Sequence, residues 1–145
     1  RLGRREGMPR SVLDLLDATE AATAGCSGTT LALALNYGSR AELTDAVRSI
    51  ARRVASGELS PEAIDEALVD DHLYTAGLPD PDLVVRTAGE MRLSNFLLWQ
   101  ISYSELYVSQ RLWPEFREAD LYEAVLAYTR RTRRFGAVAG DSATG

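Results

Sequence analysis

An α/β fold, with a mostly parallel sheet flanked by helices, is the architecture that this 145-residue chain predicts. Two short apolar runs, Thr29 to Leu35 and Leu83 to Val85, have the composition of strands buried on both faces. Segments of helical periodicity alternate with them, and Pro79, Pro81 and Pro114 fall in the connections rather than in the runs.

Taken in order, Ser11 is a candidate cap for a helix over 11–24, whose apolar stripe of Val12, Leu13, Leu15, Leu16 and Ala22 ends near Gly25. The run Thr29 to Leu35, bounded by Gly28 and by Asn36-Tyr37-Gly38, reads as the first sheet strand. Ser39 to Ala55 reads as a helix with Ala41, Leu43, Val47, Ile50, Ala51 and Val54 inward, Ser39 at its cap and Gly57 past its end. Ser60-Pro61-Glu62-Ala63 starts another helix, expected to run to about Asp71, with His72 capping carbonyls at its end. Leu83 to Arg86 is the second strand and Leu106-Tyr107-Val108 the third. Trp113-Pro114-Glu115-Phe116 breaks the chain before a helix over about 118–134, and the small polar tail 137–145 is expected to be disordered. Three strands make a thin sheet, and the opening Arg1-Leu2-Gly3-Arg4 reads as the middle of a domain, its amino-terminal strands missing.

Composition narrows the chemistry. A net charge of −5 argues against a general nucleic-acid binder, which needs a basic surface to displace counterions. All sixteen basic residues are arginine, so Schiff-base chemistry and the phosphate-loop lysine are excluded. Arginine serves instead as a permanent cation that can hold two oxygens at once. With Cys26 and His72 the only residues of their kinds, the chain builds neither a disulfide framework nor a Cys/His zinc site. A cytoplasmic location is expected, since no apolar run approaches a membrane span and Arg1 to Gly7 has no signal-peptide character.

The stretch Arg86-Thr87-Ala88-Gly89-Glu90-Met91-Arg92-Leu93-Ser94 directly follows a strand, where open parallel sheets place ligands. Gly89 lets backbone approach a bulky anion, and Arg92 and Ser94, two positions apart, share a side if the segment is extended. The three polar side chains then converge on a diphosphate, or else Arg86 and Arg92 pair with Glu90 and nearby aspartates. Glu105, among apolar and aromatic residues, needs a partner: a magnesium ion or an internal ion pair. Asn36 to Arg40 is read as turn chemistry and Cys26 as a small loop or core residue. Arg130, Arg131, Arg133 and Arg134 form either a solvated helix end or a cluster that delivers an arginine to another subunit.

The segments Asn36-Tyr37-Gly38-Ser39-Arg40-Ala41-Glu42, Asp82 to Glu90, Arg92 to Gln100 and Ser104-Glu105-Leu106-Tyr107, completed by Trp113-Pro114 and Arg133-Arg134-Phe135-Gly136, resemble the carboxyl-terminal portion of the cis-prenyltransferase family, undecaprenyl diphosphate synthase type. The resemblance implies that residues 1–136 are the carboxyl-terminal portion of one cis-prenyltransferase domain. It assigns Arg86, Arg92, Leu93 and Ser94 to binding isopentenyl diphosphate, Glu105 to a magnesium ion (Mg2+), and Arg134 to a segment reaching across a homodimer interface towards the partner's diphosphate site. The implied reaction joins isopentenyl diphosphate to an allylic diphosphate and leaves a cis alkene, with peripheral membrane contact through the lipid product.

Ala88 stands where the family has glycine or serine, and Ser39 where it has glycine. The larger departure is that the family's Asp-Gly-Asn-Gly-Arg loop, whose aspartate handles magnesium and the leaving diphosphate, occurs nowhere in this sequence. No catalytic residue is therefore assigned, and the chain is expected to be inactive by itself. The alternative reading is a non-catalytic partner subunit that supplies Arg134 to a complete prenyltransferase.

Overall fold

The computed structural model describes residues 1–131, which fall into two compact units. One comprises Arg1–Pro79 with Asn95–Leu97, and the other Asp80–Ser94 with the chain from Leu98 onward.

In the first unit, helix α1 spans Arg10–Thr23. Pro9, not Ser11, precedes it, and the Pro9 carbonyl accepts from the Val12 and Leu13 amides at 3.1 and 3.2 Å. The expected strand from Thr29 to Leu35 is reduced to one parallel bridge between Leu2 and Ala34, fixed by Leu2 N–H to Leu33 O at 2.8 Å and Leu35 N–H to Leu2 O at 3.0 Å. A strand buried on both faces needs cover on each side. Here Leu31 is 79% exposed and Thr30 and Ala32 beside it are exposed too, so among the described residues the apolar run has a single bridging neighbour.

Helix α2 spans Ser39–Ala55, as its periodicity predicts, but its buried stripe is Ser39, Glu42, Ala46 and Ile50. Val47, expected inward, is exposed. The stripe rotates because the fully buried Glu42 carboxylate finds donors: Tyr37 Oη–H at 2.5 Å and the Tyr74 amide at 2.9 Å. Buried charge is tolerated only with such partners. The helix start is capped from a distant part of the sequence. Gly38 rather than Ser39 precedes α2, the Asn95 carbonyl accepts from Ser39 N–H, and Asn95 Oδ1 accepts from Arg40 N–H, both at 2.9 Å. Gly38 permits this approach, since a Cβ there would stand 2.8 Å from Asn95 Nδ2.

The helix predicted from Ser60 to Asp71 is broken in two. Pro61–Ala63 makes one 3-10 turn, and Ile64 then turns extended (φ −81°, ψ 110°). The Ser60 hydroxyl donates to the Glu62 carboxylate instead of capping, and Asp65 caps the short helix α3, Glu66–Asp70, by accepting from Leu68 N–H at 2.8 Å. His72 lies just beyond, with Nδ1 2.7 Å from the Leu68 carbonyl and Nε2 3.2 Å from Arg53 Nη1. A guanidinium can only donate, so Nε2 accepts and Nδ1–H caps the helix. The expected carbonyl-capping role of His72 is thereby met. Cys26 is an exposed loop residue.

A polar cluster joins α2 to the start of the chain. Arg4 grips Asp45 through Nε and Nη2 at 2.8 and 2.7 Å, and Tyr74 Oη–H donates to the same carboxylate at 2.5 Å. These hydrogen bonds, led by Arg4, pull the Asp45 pKa down to about 2. A carboxyl depressed in the folded state contributes stability above its unfolded pKa, and loses it as pH falls through the folded value. The melting-temperature gap between the parent and Asp45→Asn is thus expected to be full above about pH 4 and to close towards about pH 2, as thermal melts across that range will read.

In the second unit, strand β1, Leu83–Arg86, pairs in parallel with β2, Glu105–Val108. Leu83 stands opposite Glu105 and Arg86 opposite Val108. Helix α4, Glu118–Thr129, packs on both strands with Ala124 fully buried. The Arg117 amide donates to Asp120 Oδ2 at 2.8 Å and starts the helix, after a 3-10 turn over Trp113–Glu115. The parallel pair with a helix laid against it is the α/β arrangement that the sequence predicts. The last residues of the predicted final helix, Arg134 and the tail 137–145 lie outside the described residues.

Candidate anion-binding site

Arg86 ends β1, and the chain reverses immediately after it. Ala88 and Gly89 are both left-handed, with φ of 64° and 67°. Their amides donate to Arg111 O at 2.7 Å and Ser109 O at 2.9 Å, while Ser109 N–H donates to Arg86 O at 2.7 Å. The turn is therefore fastened to the segment that follows β2. Glycine is favoured at position 89 by its left-handed φ of 67°, and a Cβ there would also push the Gln110 side chain aside, standing 2.6 Å from its Oε1.

This reversal returns Glu90 to Arg86. Glu90 Oε2 accepts from Arg86 Nη2, and its Oε1 accepts from Arg92 Nη2. One carboxylate thus holds both arginines, and the hydrogen bond from Arg86, aided by the charge of Arg92, keeps the Glu90 pKa below the usual carboxylate range. Arg86 is 26% exposed and Arg92 64%, so one guanidinium is seated and the other reaches into solvent. Each arginine uses only Nη2 towards Glu90, which places Nε–H and Nη1 outside the bridge.

Of the residues expected to bind the diphosphate, the structure brings together Arg86 and Arg92. Leu93 and Ser94 follow in an exposed segment, but Ser94 has φ 51° and begins a left-handed turn with Asn95 at 60°. The extended course that would align Arg92 with Ser94 stops at Ser94 itself. Glu105 opens β2, three register positions from Arg86, or roughly 10 Å along the strand. Its Oε2 accepts from Arg131 Nη1 at 2.7 Å, and the same nitrogen donates to Leu106 O at 3.0 Å. Among the described residues no group of three or more His, Cys, Asp or Glu gathers to hold a metal.

Two roles had no signal in the sequence. Arg131 stands in a run of arginines whose spacing does not single out one for Glu105, and Asn95, next to Ser94, caps a helix 55 residues earlier in the chain. Glu90 was visible as a neighbour of both arginines, yet only the left-handed pair at 88 and 89 aims it at them together.

Residues 1–136 match the family model described as "Putative undecaprenyl diphosphate synthase". The isoprenyl transferase of Geobacillus kaustophilus is 49% identical over 137 residues, covering 94% of this chain and 53% of that protein. The isoprenyl transferase of Agrobacterium fabrum is likewise 49% identical, over 138 residues, covering 95% of this chain and 56% of that protein. The chain thus spans about half the length of the curated relatives it matches. Among solved structures, lavandulyl diphosphate synthase from Lavandula x intermedia, in complex with dimethylallyl diphosphate, superposes with a TM-score of 0.91 at 41% identity, over 93% of this chain and 58% of that one. A probable undecaprenyl diphosphate synthase from Campylobacter jejuni gives 0.77 at 31% identity, over 93% of this chain and 61% of that one. A strand-end pair of arginines, a family match along nearly the whole sequence and structural neighbours of the same kind agree: this chain is a member of the cis-prenyltransferase family.

Proposed function

We propose that this chain forms the isopentenyl-diphosphate-binding half of a cis-prenyltransferase, an enzyme that extends an allylic diphosphate into a Z-polyprenyl diphosphate. The observation that carries this reading is the convergence of Arg86 and Arg92 at the carboxyl end of a parallel strand. Two permanent cations with several N–H donors match a diphosphate, whose multiple negative charge and many acceptor oxygens exceed what one guanidinium neutralises and occupies. The reading draws support from relatives named isoprenyl transferase and from a structural neighbour that binds dimethylallyl diphosphate.

In this scheme Arg86 and Arg92 hold the diphosphate of isopentenyl diphosphate, and Leu93 and Ser94 line its approach. Fixing that substrate turns its encounter with the allylic partner into a positioned step. Glu105 fits magnesium as one ligand of a set completed by substrate phosphates, since magnesium takes one or two carboxylates with phosphate oxygens, and Arg131 would release it on metal entry. Magnesium, when bound, stabilises negative charge developing on a departing diphosphate. Activation of the allylic substrate is assigned to residues of the longer relatives that this sequence does not contain. A homodimer with Arg134 crossing between subunits, cytoplasmic location and membrane contact through the product belong to the same proposal.

Calorimetric titration of the chain with isopentenyl diphosphate is expected to give saturable binding that inorganic diphosphate displaces and isopentenyl alcohol does not. Allylic and isopentenyl diphosphates supplied together with magnesium are expected to yield little or no condensation by this chain alone. Absence of saturable binding, or equal competition by the alcohol, would overturn the assignment.

A further inference from the structure

The bridge at Glu90 goes beyond pairing of surface charges, and we infer that Glu90 is a positioning residue that sets the two guanidiniums of Arg86 and Arg92 at a spacing selective for diphosphate over monophosphate. The inference rests on the anion-site reading above and assigns a role to a residue outside it.

Three observations carry it. Both oxygens of one carboxylate are used, one by each arginine, so the pair is held as a unit rather than as two independent side chains. The backbone that delivers Glu90 is fastened: the left-handed residues 88 and 89 are tied by their amides to Arg111 and Ser109, and Gly89 is packed against Gln110. Each arginine gives only Nη2 to the bridge, so the remaining N–H groups can engage a ligand while the bridge persists.

Two arginines with no carboxylate between them repel each other and sample many rotamers, and ordering them then falls on the ligand. With Glu90 in place, the repulsion is offset and the ordering is done before the ligand arrives. A diphosphate needs both guanidiniums at one separation. A monophosphate needs only one of them. The bridge should therefore matter for the first ligand and hardly for the second.

The test is NMR titration of the 145-residue chain and its Glu90→Gln variant with inorganic diphosphate and with inorganic phosphate, following the arginine Nε–Hε signals. The variant is expected to bind diphosphate about 10-fold more weakly while its phosphate affinity changes less than about 2-fold. Glu90→Asp, which keeps the charge, is expected to retain more of the diphosphate affinity than Glu90→Gln. Thermal melts separate misfolding from this outcome, because loss of fold weakens both ligands together. Unchanged or tighter diphosphate binding in Glu90→Gln, or equal loss for both ligands, would sink the positioning role; tighter binding would mean that Glu90 competes with the ligand. Failure of the underlying reading looks different, since the Arg86→Ala variant would then bind inorganic diphosphate as tightly as the parent chain.

Discussion

Replacing Arg86 and Arg92 together with alanine is expected to weaken isopentenyl diphosphate binding by about 100-fold or more, with little change in melting temperature. Hydrogen bonds to charged groups contribute about 1.5–3 kcal/mol each, so two lost contacts span roughly two to four orders of magnitude in affinity. The exposure of Arg92, at 64%, sets the expectation at the lower end, because solvent screens its share. Arg86, at 26%, should account for the larger part of the loss when each is changed singly. Lysine at position 86 keeps the charge but loses the fork, and should recover only part of the affinity. Calorimetry on the two single variants and the double variant decides the matter; a combined loss under about 5-fold would show that the diphosphate binds elsewhere.

The second large effect concerns stability. Glu42→Ala is expected to destabilise the chain by about 3–4 kcal/mol, since it empties a fully buried position and removes the acceptor of the Tyr37 O–H and of the Tyr74 amide. For a chain of this size that is a melting-temperature drop of about 10 °C. Tyr37→Phe, which removes one donor and leaves the carboxylate its bond from Tyr74, should cost only about 1 kcal/mol. The two changes share a hydrogen bond, so their combined effect should fall short of the sum. Chemical denaturation of the three variants gives the comparison, and additive losses would show that Tyr37 and Glu42 act independently.

Periodicity is sufficient for much of the fold, whereas the expected amino-terminal caps Ser11, Ser39 and Ser60 are not the ones used. Both bounds of α2 and the extent of β1 follow from local pattern, because each element's apolar residues and its terminating glycine, proline or arginine lie within one segment. Long-range relations were not legible. The inward turn of Glu42 depends on Tyr74, 32 residues away, and the capping of α2 depends on Asn95. Thr29 to Leu35 shows the reverse case: the composition of a central strand does not supply the neighbours that make one. At the candidate site the residue types were readable, since a strand followed by arginines and glycine suggests an anion. Their gathering was not, because it depends on two consecutive left-handed residues, one of them an alanine.

The exposure of Thr29 to Leu33, most of this apolar run, also bears on how the chain behaves at high concentration. Seven uncharged residues in a row, rich in leucine and free of proline, present amide and carbonyl groups that a single bridge cannot occupy. Such a segment is a template for strand addition, the feature that proteins elsewhere blunt with lysine, proline or a covering loop. A single charged side chain at Leu31, which is 79% exposed, is the smallest change expected to suppress such strand addition.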